Sequence, residues 1–191
     1  DLRWMREARN VSDEMIRLFH DPEGGGFFHG GTDAEQLVIR GKELFDNAIP
    51  SGNSVAAEIL QRLALLTGES RYEQAGVSAL RAVRDDLMRA PTMFGHALSA
   101  LELYLADARE VAIIGSLEAA ETRMLLAAVW GSYRPNVVLA AGDPADAQAT
   151  DVVPLLAGKT ILNGHPAAYV CERFVCKQPV SDPAALAAQL A

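Results

Sequence analysis

The sequence predicts a mainly α protein: antiparallel helix hairpins forming part of an (α/α) six-hairpin toroid, followed by a small C-terminal α/β unit. Apolar residues recur at helical spacing through most of 1–106. The breaks between these runs are short and carry Gly or Pro, which makes successive helices antiparallel neighbours. Beyond Asp107 the pattern changes to short apolar β-rich runs around one further helix. The expected division is therefore 1–106 for the helical hairpins and 107–191 for the α/β appendage.

Residues 1–20 predict an amphipathic helix with Trp4, Ala8, Val11, Met15, Leu18 and Phe19 on its apolar stripe. Asp21-Pro-Glu-Gly-Gly-Gly ends it, because proline and three glycines cannot continue a helix. Phe27, Phe28 and His29 form a short extended piece. Residues 30–50 show no clean period and read as a long structured loop, with one short strand at Leu37, Val38 and Ile39. A helix over 52–67 carries Ala56, Ile59, Leu60, Leu63 and Leu66 on one stripe, with Asn53 or Ser54 as cap and Gly68 as stop. Ser70-Arg-Tyr-Glu73 fits a capping box opening a helix over 71–89 that buries Tyr72, Ala75, Ala79, Val83 and Leu87. Pro91 punctuates, and a helix over about 92–106 carries Phe94, Ala97, Leu98, Leu101, Tyr104 and Leu105.

Val111 to Gly115 and Val137 to Ala141 read as buried strands flanking a helix over 117–130, a βαβ unit with parallel strands. Residues 142–158 are loop, and Ala167 to Val180 is a strand pair or one long strand. Asp182 as N-cap and Pro183 at the first helical position open a last helix.

Composition narrows the function classes. The chain has 191 residues, half of them hydrophobic and 22% charged, which is the make-up of a folded protein. Its longest apolar run, Met124 to Trp130, is far short of the roughly 18 residues that cross a bilayer. The net charge is -8, and no basic stripe exists to neutralise phosphates or anionic lipid. Neither nucleic acid nor membrane is an expected partner. Asp1-Leu-Arg-Trp lacks the features of a signal peptide, and the cysteine count is 2, so the cytoplasm is the expected compartment. That start looks like the inside of a helix, which suggests a piece of a longer chain. Arg outnumbers Lys 14 to 3, an association with GC-rich bacterial genomes.

The densest polar cluster is Arg40-Gly-Lys-Glu-Leu-Phe-Asp-Asn-Ala-Ile-Pro-Ser-Gly-Asn-Ser54, leading into a helix start. Free amides there favour an oxygen-rich ligand. Two carboxylates are also what acid/base chemistry on a sugar requires. Glu43 and Asp46 are the candidate catalytic pair; Asn47, Ser51, Asn53, Lys42 and Arg40 are candidate ligand-binding residues. The same residue types also build caps and turns, with Lys42 and Glu43 solvated. Phe27-Phe28-His29 could form an aromatic platform or two core phenylalanines with a surface histidine. His96 would need an orienting partner to act as acid or base. The histidines are dispersed, and neither metal nor cofactor is expected. Cys171 and Cys176 read first as buried free thiols; across a hairpin loop of Glu172 to Val175 they would lie opposite and could bridge, and with His165 they could hold a metal. Gly115-Ser116 is too little for a dinucleotide site.

Five segments occur in one order: Gly24-Gly-Gly-Phe-Phe28, Lys42-Glu-Leu-Phe-Asp-Asn-Ala-Ile-Pro-Ser-Gly-Asn-Ser54, Leu66-Thr-Gly-Glu69, Tyr169-Val-Cys-Glu-Arg-Phe-Val-Cys176 and Pro179-Val-Ser-Asp182. Together they resemble the C-terminal part of the spermatogenesis-associated, thioredoxin-domain-containing protein family. That resemblance implies a longer parent protein. Its thioredoxin-like domain, with a Cys-x-x-Cys motif, is absent here. Its helical region is similar to six-hairpin toroid enzymes such as N-acylglucosamine and cellobiose epimerases and glycosidases. The expected function is thus a fragment of a carbohydrate-active toroid protein acting on a saccharide by carboxylate acid/base chemistry. The alternative is a non-catalytic scaffold or client-binding module beside a thioredoxin-like domain, in redox or quality-control work. Partners implied are a saccharide, the missing N-terminal helical and thioredoxin-like domains, and a second copy of the chain covering exposed helix faces.

Overall fold

A computed structural model describes residues 1–35, 38–173 and 175–191. About half of the chain is helical, and a small four-stranded mixed sheet lies toward the C-terminus. Contacts divide it into two compact units. One takes Arg3–Ala64 and Glu69–Ala106, the other Leu65–Gly68 and Asp107–Ala191.

In the helical unit, α1 spans Leu2–Phe19, with the Asp1 carboxylate accepting from the Arg3 amide as its cap. Its buried face differs from the expected stripe. Trp4 and Val11 are 65% and 66% exposed, while Met5, Ala8, Met15, Ile16 and Phe19 pack on the core and Ser12 is buried between them. The inward face thus passes through a small polar residue, and a hydrophobic stripe drawn through the largest side chains missed it. α2 (Gly52–Thr67) is capped by Ser51, whose Oγ accepts from the Ser54 amide at 3.1 Å; neither expected cap, Asn53 nor Ser54, fills that role. Gly68 follows α2 with φ 74°, the left-handed stop glycine supplies.

The expected helix over 71–89 is two helices, α3 (Ser70–Ala82) and α4 (Arg84–Arg89), broken at Val83. The capping box does not form. The residue before α3 is Glu69, which makes no side-chain cap and instead binds Arg9 and Arg71. A 3₁₀ turn over Pro91–Met93 precedes α5 (Gly95–Leu105). Tyr72, Leu60 and Phe94 are the largest buried side chains among these elements. The Tyr72 hydroxyl donates to Asp13 Oδ1 at 2.7 Å. Burial, and then that bond, push the Tyr72 phenol up to about 12.

The long stretch after residue 30 holds no assigned strand among its described residues. Val38 and Ile39 are exposed and extended into no ladder, and Leu37 lies outside the described residues.

In the second unit β1 (Arg109–Ile114), α6 (Ala120–Trp130) and β2 (Val137–Gly142) form the parallel βαβ unit. The loop after β2 contains a short helix, α7 (Ala149–Val152), and a 3₁₀ turn, Pro154–Leu156. β3 (Ala167–Glu172) and β4 (Val175–Cys176) are a strand pair, and α8 spans Pro183–Leu190, capped by Asp182. Strand order is β2-β1-β3-β4, with β3 antiparallel to both its neighbours. Val111, Ile113, Ala168 and Val170 face Leu125 and Val129 of α6 and Leu186 and Leu190 of α8. Alternation sends Glu110, Ala112, Tyr169 and Cys171 to the other face.

The cysteines are not free thiols. Cys171 and Cys176 are joined, S–S 2.03 Å, because the β3–β4 register sets them directly opposite. Phe174, in the connecting loop, lies outside the described residues. Among the described residues no helix is long and apolar enough to cross a membrane.

Candidate functional site

The polar cluster over 40–54 wraps the start of α2, and most of its groups are engaged in holding the loop. Asn53 is buried, although it sits in the first turn of a helix. Its Oδ1 accepts from the Phe27 amide at 2.7 Å. Its Nδ2 donates to the Phe27 carbonyl at 3.0 Å and the Glu43 carbonyl at 2.8 Å. One side chain thus ties two loop segments to α2. Gly26, with φ 72°, approaches so closely that a Cβ there would lie 2.6 Å from Asn53 Oδ1. Gly26→Ala is expected to lower stability by about 1–2 kcal/mol, from left-handed backbone strain plus displacement of Asn53. A thermal melt checks it.

Asp46 bridges two helix starts. Oδ1 accepts from the Ser51 amide at 2.8 Å; Oδ2 accepts from the amides of His96 and Ala97 at 2.8 and 3.1 Å. Burial pushes the Asp46 carboxyl up, but these amides and the Ser54 hydroxyl together hold it below the usual carboxylate range. Ser51 Oγ meets Ser54 Oγ at 2.9 Å. Lys42 Nζ binds Asp21 Oδ2 and the Gly25 carbonyl, both at 2.6 Å. That ammonium, then the Gly24 amide, pull Asp21 down to about 2. Arg40 donates to the Gly30 carbonyl at 2.6 Å, and its guanidinium lies 4.2 Å from the Phe28 ring centre. Lys42 Nζ is 4.8 Å from the same ring.

Glu43 and Asn47 are exposed. A cleft of about 230 Å³ brings Glu43 together with Asn53, Phe27, Phe28, His29, Gly52, Met15 and Phe19. Asp46, Ser51, Asn47, Lys42 and Arg40 do not line it. Among the described residues the Glu43 carboxylate has no side-chain partner, and it faces a wall that is largely aromatic. His29, read from sequence either as part of an aromatic platform or as a surface histidine, and Phe19 and Met15 of α1 join the site through the turn at 21–26. No local signal in the sequence brings α1 to this loop.

His96 has the partner that sequence did not supply. Its Nε2 lies 2.9 Å from Glu58 Oε2, close enough for an ion pair but poorly aligned for a hydrogen bond. Glu58 also holds Arg62 at 2.8 Å, one turn on. A second groove, about 290 Å³, is lined mainly by apolar side chains, Val77, Leu80, Leu87 and Leu101 among them, together with Arg81 and Arg84. Among the described residues no three His, Cys, Asp or Glu side chains group as metal ligands.

No protein-family model matches the sequence. Human spermatogenesis-associated protein 20 is 32% identical over 186 residues, 96% of this chain and 24% of that protein. The mouse and rat proteins of the same name are 31% and 32% identical, with 96% of this chain and 23% of each relative covered. These three relatives are mammalian, and none speaks to a bacterial source. Nearly the whole chain is homologous to spermatogenesis-associated protein 20, and it spans about a quarter of that protein's length.

Proposed function

We propose that the chain supplies a saccharide-binding cleft to a carbohydrate-active (α/α) toroid protein of epimerase-like or glycosidase-like chemistry. In this reading it is the C-terminal part of a longer cytoplasmic polypeptide, whose remainder brings the other toroid helices and a thioredoxin-like domain. The supporting observation is the cleft that joins Phe28, His29 and Glu43. A sugar offers an apolar C–H face for the aromatic wall and hydroxyls for a carboxylate and an imidazole. Glu43 is the carboxylate assigned to acid/base work, since it lines the cleft and its carboxylate has no side-chain partner among the described residues. Asp46 is assigned a framework role, because its oxygens already accept several hydrogen bonds. A reaction that needs a second carboxylate draws it from another part of the parent protein.

The test is saccharide titration of the full-length parent, followed by NMR, with N-acetylglucosamine and cellobiose as probes. Glu43→Gln is expected to weaken binding at least about tenfold, the loss of one charged hydrogen-bond acceptor, with an unchanged melting temperature. No saccharide binding by the wild-type protein would sink the reading.

A second reading has one observation in its favour. Lys42, Asp46, Ser51 and Asn53 spend their polar groups on the chain's own backbone and side chains, and one Arg40 nitrogen does the same. That is what a non-catalytic scaffold or client-binding module, paired with a thioredoxin-like domain, requires of a rigid loop. Client capture unaffected by Glu43→Gln, together with absent sugar binding, would favour it.

A further inference from the structure

One row across three strands joins a carboxyl and two sulfurs. Glu110 of β1 is the register partner of Cys171 on β3, and Cys171 is the register partner of Cys176 on β4. Directly opposed residues put their side chains on one face, with Cβ atoms about 5 Å apart. Glu110 and Cys171 are both fully buried, while Cys176 is exposed on a two-residue edge strand. A carboxyl in the interior of a sheet is costly, and apolar residues would fill that position more cheaply. The half-buried ammonium of Lys159 is coupled to it. The bridge itself closes a ring between residues only five apart, so it restrains little of the unfolded chain.

We propose that Cys171–Cys176 is a redox-active disulfide that exchanges with dithiol substrates. Cys176 is the sulfur attacked, and Glu110 exchanges a proton with Cys171. A thiolate of the incoming dithiol attacks Cys176 Sγ along the exposed edge. A mixed disulfide forms, the Cys171–Cys176 bond breaks, and the electron pair leaves on Cys171 Sγ. That buried sulfur takes a proton from the Glu110 carboxyl, which, being itself shut off from solvent, regains it by way of the half-buried Lys159 ammonium. The second thiolate of the dithiol then attacks its own mixed-disulfide sulfur and releases Cys176 as thiolate, which takes a proton from water. The dithiol loses two electrons and two protons and becomes a disulfide; the bridge gains both and becomes two thiols. Oxidation of a substrate dithiol is this direction, and reduction of a substrate disulfide is its reverse. Nothing in this site draws on the saccharide cleft.

The test equilibrates the folded chain with mixtures of reduced and oxidised glutathione, then with dithiothreitol, and traps thiols by alkylation for mass measurement. The expected result is a bridge that opens and recloses in the native protein within these mixtures. Cys171→Ser should accumulate a glutathione adduct on Cys176, and Cys176→Ser should leave Cys171 unmodified. Glu110→Gln should slow exchange with dithiothreitol at least about tenfold at an unchanged melting temperature, and Glu110→Asp should restore part of the rate. Should Glu110→Gln fail to fold, the two cysteine variants decide the exchange itself, and Glu110→Asp alone decides the proton step. A bridge that opens only under denaturant, or cysteines that never pair, would overturn the proposal. Exchange at wild-type rate in Glu110→Gln would overturn the role of Glu110.

Discussion

Asn53→Ala is expected to lower the stability of the helical unit by about 3 kcal/mol, the sum of three hydrogen bonds worth roughly 1 kcal/mol each. The three partners are the Phe27 amide, the Phe27 carbonyl and the Glu43 carbonyl. Phe27 is buried, so its freed amide and carbonyl have no water to turn to, and the loss approaches the full cost of unpaired groups. The measurement is the midpoint of urea unfolding. Asn53→Asp sharpens it: a carboxylate keeps the acceptor for Phe27 but sets negative oxygens against two carbonyls. The aspartate variant should therefore be no better than alanine. A neutral alanine variant would mean that the loop holds its shape without the clamp. The same substitution frees the segment bearing Glu43, so ligand affinity at the cleft should fall with stability. Glu43→Gln should lower affinity alone, and the pair of variants separates shape from chemistry.

Much of the architecture was legible because local physics dominates there. The βαβ unit follows from two buried apolar runs around a helix, and the last helix follows from Asp182 and Pro183. What sequence misplaced had tertiary causes. The inward face of α1 turns on Ser12, a small residue whose burial depends on what lies across from it. The Ser70–Glu73 capping box lost to Glu69, drawn off by Arg9 and Arg71, of which Arg9 lies sixty positions away. Val83 interrupts a helix whose apolar spacing runs straight through it. Over 40–54 the polar residue types were legible in the sequence, but not the partners each one takes. Asn53 looked like a cap and is a clamp; Asp46 looked like a turn residue or an acid and ties two helix starts together. Only distances between the 27–29 segment, the 40–54 loop and α5 distinguish those roles, and no spacing within the chain encodes them. The cysteine pair is the converse case. Its hairpin alternative could be read from the spacing, but the choice between free and joined thiols rested on strand register.

Asp46→Ala is expected to cost about 3 kcal/mol, combining the loss of an N-terminal cap on α5 with the loss of the Ser51 contact. The His96 and Ala97 amides open α5 and have no intrahelical acceptor, so a carboxylate there also meets the positive end of the helix dipole. Asp46→Asn should fall between wild type and alanine, since an amide offers one acceptor where the carboxylate offers two. The pH dependence gives an independent check. The folded carboxyl titrates below its unfolded value of 3.8, so the folded state holds fewer protons at that pH than the unfolded chain. The stabilisation is therefore fully present above about pH 5, and declines as pH falls through 3.8 toward the folded value. Asp21, drawn down to about 2 by Lys42, acts in the same direction. Asp46→Asn should flatten part of the acid limb of a stability-against-pH curve, and a double variant with Asp21→Asn should flatten more. An Asp46→Asn curve parallel to wild type would show that the carboxylate charge is not what holds the loop to α5. A catalytic Asp46 makes the opposite demand. It would have to accept and release protons in the working range, which the amides of Ser51, His96 and Ala97 work against by stabilising the charged form. Stability should therefore respond to this residue first, and any effect on a ligand should scale with the displacement of the loop that carries Glu43.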